Sequence, residues 1–222
     1  MTTLVFAPNW LGDAVMALPA IADICRRNAG ERVVVAARPA VAGFVRLLPD
    51  VDHVVSLAGG GGWTAIRYFG DDIRTVRSVD AAIAILLPNS IHAALLASRA
   101  GIREIWGYAR DVRRVLLSRP IPKPRAALHQ VDAYRHLVSA LGFPHGAREP
   151  ELIVPIDAAE SAGRLLAASG ITEGRALVGI APGAAFGGAK RWPPEHFAAT
   201  IAALGREGGS TCVLVGSPAD AT

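Results

Sequence analysis

The chain has 222 residues, 51% hydrophobic and 19% charged, enough apolar material for one large or two small domains with buried cores. Its two cysteines, Cys25 and Cys212, each lie in an apolar segment, which argues against a disulfide framework and for a reducing compartment. No basic segment precedes an apolar run at the start, and no uncharged apolar stretch reaches the roughly 18 residues of a membrane span, so a soluble intracellular protein is expected.

The apolar run over 4–7 predicts a buried strand. Pro8 stops it, Asn9, Trp10, Leu11 and Gly12 turn the chain, and Asp13 opens a helix over 13–28 with a kink expected at Pro19. Open α/β sheets build their sites where a strand hands the chain to a helix, and the helix dipole there favours a negative charge. By itself Asp13 reads either as a helix cap or as a catalytic base.

A second strand is expected over 32–37, a short helix over 40–48 and a third strand over 53–57. The glycines at 59–62 fail the dinucleotide pattern because Thr64 stands at its last glycine, so they read as a loop before a helix over 63–76. A strand over 80–87 ends at a second corner, Pro88-Asn89-Ser90. A helix over 91–100 follows, ended by Gly101, and then a strand over 102–107. Between Arg99 and Arg125, eight basic residues meet only Glu104 and Asp111, a net of +6 in a chain whose total is +4. This reads as a patch for an anionic partner (a phosphorylated substrate or a membrane surface) or as a solvated face. Nucleic acid is not expected, since few aromatics beyond Trp106 and Tyr108 are interleaved. The Pro-rich stretch 120–124 is expected to be extended loop, 129–141 a helix, 146–155 a linker and 157–169 a helix.

The pattern then restarts, with a strand over 176–181, a glycine-rich loop over 182–192, a helix over 193–207 and a strand over 210–215. Alternating strands and helices predict an α/β protein of two domains with parallel sheets, residues 1–150 and 151–222. The second is far shorter than a usual domain of about 100–150 residues, so it is expected to be incomplete and the chain truncated. In the loop from Ala181 to Pro193, small residues let a ligand approach the backbone, Lys190 and Arg191 bring positive charge, and a helix N-terminus follows. These are the parts of a diphosphate site. A glycine-rich turn with surface charges is the structural alternative. A Walker A loop is excluded, because Ala189 stands where its lysine belongs and no Ser or Thr follows Lys190.

Three motifs, PNWLGDAVMALPAI from residue 8, LLPNS from 86 and PGAAFGGAKRWPPEHFA from 182, resemble the ADP-heptose–lipopolysaccharide heptosyltransferases of glycosyltransferase family nine, the type II enzymes above all. The resemblance implies a GT-B fold of two facing Rossmann-like domains, the first binding acceptor and the second, here cut short, binding donor. It implies an inverting transfer of heptose from ADP-heptose to a phosphorylated lipopolysaccharide inner core of the heptosyl-Kdo-lipid A type. No metal or other cofactor is expected, and the implied location is cytoplasmic, peripheral to the inner face of the inner membrane.

Carried over by position, Asp13 resembles the general base and Lys190 the lysine that neutralises the departing diphosphate. Gly183, Ala184, Ala185, Arg191 and Trp192 become further donor contacts. Acceptor contacts are expected from Asn9, Gly12, Asn89, Ser90, Arg110, Arg113 and His129, although His129 also reads as an ordinary helix-start residue. Family members often carry Glu where this chain has Ala185 and Pro where it has Gly188, so a donor contact is expected to be missing and the loop more mobile. Two other readings stay open: a related glycosyltransferase with another donor or acceptor, or, in a truncated chain not itself active, a non-catalytic module binding anionic glycolipid.

Overall fold

A computed structural model describes residues 1–58, 66–171, 174–184 and 188–216. The chain divides into two units, Met1–Val154 and Pro155–Thr222. The first carries six parallel strands, β1 (Thr2–Phe6), β2 (Arg32–Ala37), β3 (His53–Ser56), β4 (Ile83–Leu86), β5 (Glu104–Ala109) and β6 (Arg119–Pro122), in the order β3-β2-β1-β4-β5-β6. Because side chains alternate across a strand, neighbouring residues feed opposite cores. Val5, Val33, Val35 and Ile85 pack on one face against α1 (Leu11–Arg27), α2 (Pro39–Val45) and α5 (Gln130–Ala140). Leu4, Phe6, Val34 and Leu86 pack on the other against α3 (Phe69–Ser78) and α4 (Ile91–Ala100). The order reverses between β1 and β4, so the loops leaving these strands part to opposite faces and open a crevice at their carboxyl ends.

Prolines sit inside regular elements at two places. The helix expected to kink at Pro19 is one continuous element, Leu11–Arg27, with Pro19 buried inside it. The bond that proline forgoes is the one to the carbonyl of Val15, a residue 44% exposed, where water can serve it. The Pro-rich stretch expected as loop instead supplies β6, which pairs with β5 from Trp106↔Arg119 to Ala109↔Pro122. It lies at the sheet edge, where an amide missing on the outer side breaks no ladder. Between β5 and β6 the chain forms a 3-10 turn, Asp111–Leu116, that the sequence reading did not anticipate. The helix expected over 63–76 is described as Phe69–Ser78; its start and the 59–62 glycines lie outside the described residues.

In the second unit, α6 (Ile156–Ala168) is followed by β7 (Leu177–Ile180), a short 3-10 turn (Gly188–Lys190), α7 (Pro194–Gly208) and β8 (Thr211–Leu214). The two strands pair in parallel from Leu177↔Thr211 to Ile180↔Leu214, forming a β-α-β unit. None of its described residues is buried.

Candidate functional site

The first unit gathers its polar groups at the carboxyl ends of β1, β2 and β4. Asn9 follows β1, Arg38 follows β2, and Ser90 and His92 open α4. Together with Asp72 of α3 they line one recess floored by Phe6, Ala36, Leu57 and Leu96. Ser90 is held there because it caps α4, its Oγ accepting the His92 amide at 3.1 Å. Asp72, 1% exposed, accepts the Ala58 amide through Oδ1 at 2.7 Å, tying the chain after β3 to α3. Burial holds the His92 imidazole below its ordinary value, against the pull of Asp72, and Arg38 is lowered for the same first reason.

Asp13 sits in the first turn of α1, half-buried, next to Gly12, where no atom beyond its chain neighbours and its own helix backbone stands within 4 Å of the place a Cβ would occupy. Its carboxylate acts on Tyr134 of α5, whose phenol is pushed up to about 12, first by burial and also by Asp13, against a hydrogen bond with Gln130. Asp13 is no N-cap: that position belongs to Trp10, which makes no side-chain cap bond. The carboxylate stands at the third helical position, where the positive end of the helix dipole favours its charge.

The structure brings Asn9 and Ser90 into the same recess and leaves Asn89, Arg110 and His129 exposed in the strand-to-helix loops. Arg113 departs from its expected place on an exposed binding face. It is 2% exposed, with Nε donating to the Tyr108 carbonyl at 3.0 Å and Nη1 to the Pro88 carbonyl at 2.7 Å. An arginine so enclosed braces the Pro88-Asn89-Ser90 corner against the end of β5. Gly107 makes room for it, since a Cβ there would stand 2.9 Å from Arg113 Nη2. Arg38, Asp72, His92, Gln130 and Tyr134 were missed. Arg38 had a usable signal, the first charge after a buried strand; the others reach the site only through the packing of α3, α4 and α5.

In the second unit the loop from β7 to α7 carries the expected donor residues. Gly183 is exposed, Ala184 half-buried and Lys190 exposed at the end of the 3-10 turn; Ala185 lies outside the described residues. Arg191 Nη2 donates to the Ala184 carbonyl at 3.3 Å, closing the loop on itself. Trp192 stacks on His196 at 5.2 Å and meets Phe197 edge-on at 5.1 Å, pinning the loop to α7. Pro193 and Pro194 bring no amide hydrogen to the start of α7, so the cationic side chains carry more of any anion's charge than in a helix opened by ordinary residues.

Comparison with known proteins places these motifs in context. Residues 72–222 match the profile of glycosyltransferase family 9 (heptosyltransferase). The chain is 30% identical over 229 residues to lipopolysaccharide heptosyltransferase 2 of Salmonella typhimurium, covering 99% of this chain and 64% of that protein. It is 29% identical to the namesake from Escherichia coli, again over 99% of this chain and 64% of the relative. Among solved structures, a family 9 glycosyl transferase from Veillonella parvula superposes with TM-score 0.86 at 20% identity, over 99% of this chain and 63% of that one. The E. coli ADP-heptose lps heptosyltransferase II superposes with TM-score 0.75 at 26% identity, over 99% and 66%. The chain thus spans about two thirds of the length of the proteins it matches.

Proposed function

The chain belongs to glycosyltransferase family 9, the heptosyltransferases, and on that premise we propose that it moves heptose from ADP-heptose to the phosphorylated inner core of lipopolysaccharide. The name of the E. coli structure supports ADP-heptose as donor, and the names of the relatives at 29–30% identity support lipopolysaccharide as acceptor. The observation that carries the reading is Asp13: a half-exposed carboxylate in the first turn of α1, at the carboxyl edge of the sheet, with open space beside it at Gly12.

In the proposed reaction Asp13 takes the proton of an acceptor hydroxyl as its oxygen attacks the anomeric carbon of the donor. The bond from that carbon to the diphosphate breaks as the new one forms, the electron pair leaves with ADP, and the configuration inverts. Lys190 meets the charge that grows on the departing diphosphate, and the loop held closed by Arg191 and Trp192 presents it. With cations of the chain assigned to that charge, the proposed displacement needs no metal. Arg110, with Asn9, Asn89, Ser90 and His129 around the same edge, faces the acceptor's anionic groups, and Arg113 supports the corner from beneath. The work is proposed to occur on the cytoplasmic face of the inner membrane, where such a lipid-linked acceptor is at hand.

An assay of ADP release and sugar transfer tests this, with ADP-heptose and heptosyl-Kdo-lipid A as substrates. In a chain extended to the length of its family 9 relatives, Asp13→Asn is expected to keep the fold and lower turnover by at least about 10²-fold. Near-normal turnover would remove the base assignment, and transfer from a different nucleotide sugar in preference to ADP-heptose would remove the donor assignment. A chelator is expected to leave the rate unchanged.

A further inference from the structure

We infer that the 3-10 turn Asp111–Leu116 is a docking ridge for an anionic lipid surface. This rests on the proposed function in one respect, that the acceptor is lipid-linked, and it names the surface through which the first unit reaches such a lipid.

The geometry of the turn carries the argument. A 3-10 helix has three residues per turn, so positions i and i+3 eclipse and the turn has three distinct rows. One row, Arg113 and Leu116, faces inward. Arg113 is 2% exposed and bonded to the carbonyls of Tyr108 and Pro88, and Leu116 packs against the core on the α4 side of the sheet. The next row, Val112 and Val115, must then face outward, and these valines are 71% and 86% exposed. The inward row fixes the turn against the body of the unit, so the two valines cannot rotate out of water as they could in a loose loop. Arg110 just before the turn and Arg114 between the two valines are both exposed.

The occupant follows from chemistry and size. Two valines make a ridge, much smaller than the contiguous apolar patch of a stable protein interface. Apolar tips interspersed with guanidinium groups match the layering of a bilayer surface, where phosphates lie above the acyl boundary. Arginine bonds phosphate oxygens in pairs, and the segment from Arg99 to Arg125, with its net charge of +6, is attracted to an anionic leaflet over a longer range. Among the described residues no helix is long and apolar enough to cross a membrane, so the contact proposed is one that lies on the surface.

The test is co-sedimentation of the full chain with vesicles containing no acceptor glycolipid: mixed phosphatidylglycerol and phosphatidylethanolamine in one arm, phosphatidylcholine alone in the other. The protein is expected to bind the anionic vesicles, more weakly as salt rises, and to bind phosphatidylcholine little. Val112→Asp with Val115→Asp should weaken binding by at least about tenfold, whereas Val112→Leu with Val115→Leu, which keeps the ridge apolar, should bind at least as well as the parent. Failure of the parent to bind anionic vesicles would overturn the inference, as would equal binding by the aspartate pair. So would a self-association of the parent that the aspartate pair abolishes, which would make a second copy the occupant. Transfer to a de-acylated, water-soluble acceptor separates this from the proposed function. The aspartate pair should transfer as the parent does, and if neither transfers, the functional reading fails while the vesicle result stands on its own.

Discussion

Gly12 occupies a helical first turn with no neighbour where its Cβ would point, so neither packing nor a left-handed backbone requires a glycine. Gly12→Ala should therefore stabilise the first unit, by up to about 1 kcal/mol in thermal or urea unfolding. It should also raise the acceptor KM, because the methyl group fills the space beside Asp13; an unchanged KM would mean that nothing approaches there. Gly107 is the opposite case, a glycine demanded by the guanidinium lying against it. Removing that guanidinium with Arg113→Met leaves the Tyr108 and Pro88 carbonyls without their donor and should cost about 2–4 kcal/mol in urea unfolding. Lys190, exposed and remote from any core, should behave differently again. Lys190→Ala is expected to leave the unfolding midpoint in place and to weaken ADP binding in calorimetry more than acceptor binding.

At the scale of elements, the corner between β4 and α4 concentrates several constraints. Ser90 caps the helix through the His92 amide, and Gly101 ends it in the left-handed conformation at φ 93°. Ser90→Ala should cost about 1 kcal/mol. It should also disturb acceptor use, since Ser90 lines the recess whose other walls are Asn9, Arg38 and His92. A second joint lies at the far end of α1. Asp23, fully buried, accepts the Gly146 amide at 2.8 Å and pairs with Arg26 at 2.8 Å, holding the chain after α5 against α1. The Arg26 guanidinium lies where a Cβ of Gly146 would stand, so a side chain there would displace that guanidinium. These joints hold the end of α1 against the chain that follows α5.

For the molecule as a whole, three buried acids set the alkaline limit of stability. Burial pushes the Cys25 thiol from 9.0 up to about 12, and the Tyr108 and Tyr134 phenols from 10.0 up to about 12. Between about pH 9 and 12 the unfolded chain therefore releases protons that the folded chain keeps. The associated stability is full below pH 9 and is lost as pH rises toward 12. Urea midpoints should fall across that window, and Cys25→Ala should flatten the first part of the fall. A midpoint independent of pH there would contradict the burial of these groups. In the same native protein Cys25 should resist alkylation at mildly alkaline pH, with any labelling confined to the half-buried Cys212.

The alternation of apolar strands with helical periods determined the fold class directly, because the parallel strands are buried on both faces and read as unbroken runs such as Val33–Val34–Val35. Local chemistry also located β2 and α4 at their observed bounds, Arg32–Ala37 and Ile91–Ala100, since a capping serine and a terminal glycine are marked in the residues themselves. The strand-to-helix corners around Asp13 and Lys190 were legible for a related reason: the turn residues that make such a corner are adjacent in the chain. Position across the sheet was not legible. Whether an arginine faces water or a carbonyl depends on which loop passes beneath it. Arg113 therefore read as one more charge in a basic segment until β4 and β5 were side by side. The same packing turned Val112 and Val115 outward and made a strand of a Pro-rich stretch by giving it an edge. Each of these depends on elements far apart in sequence, decided when the layers close and carried by no local pattern.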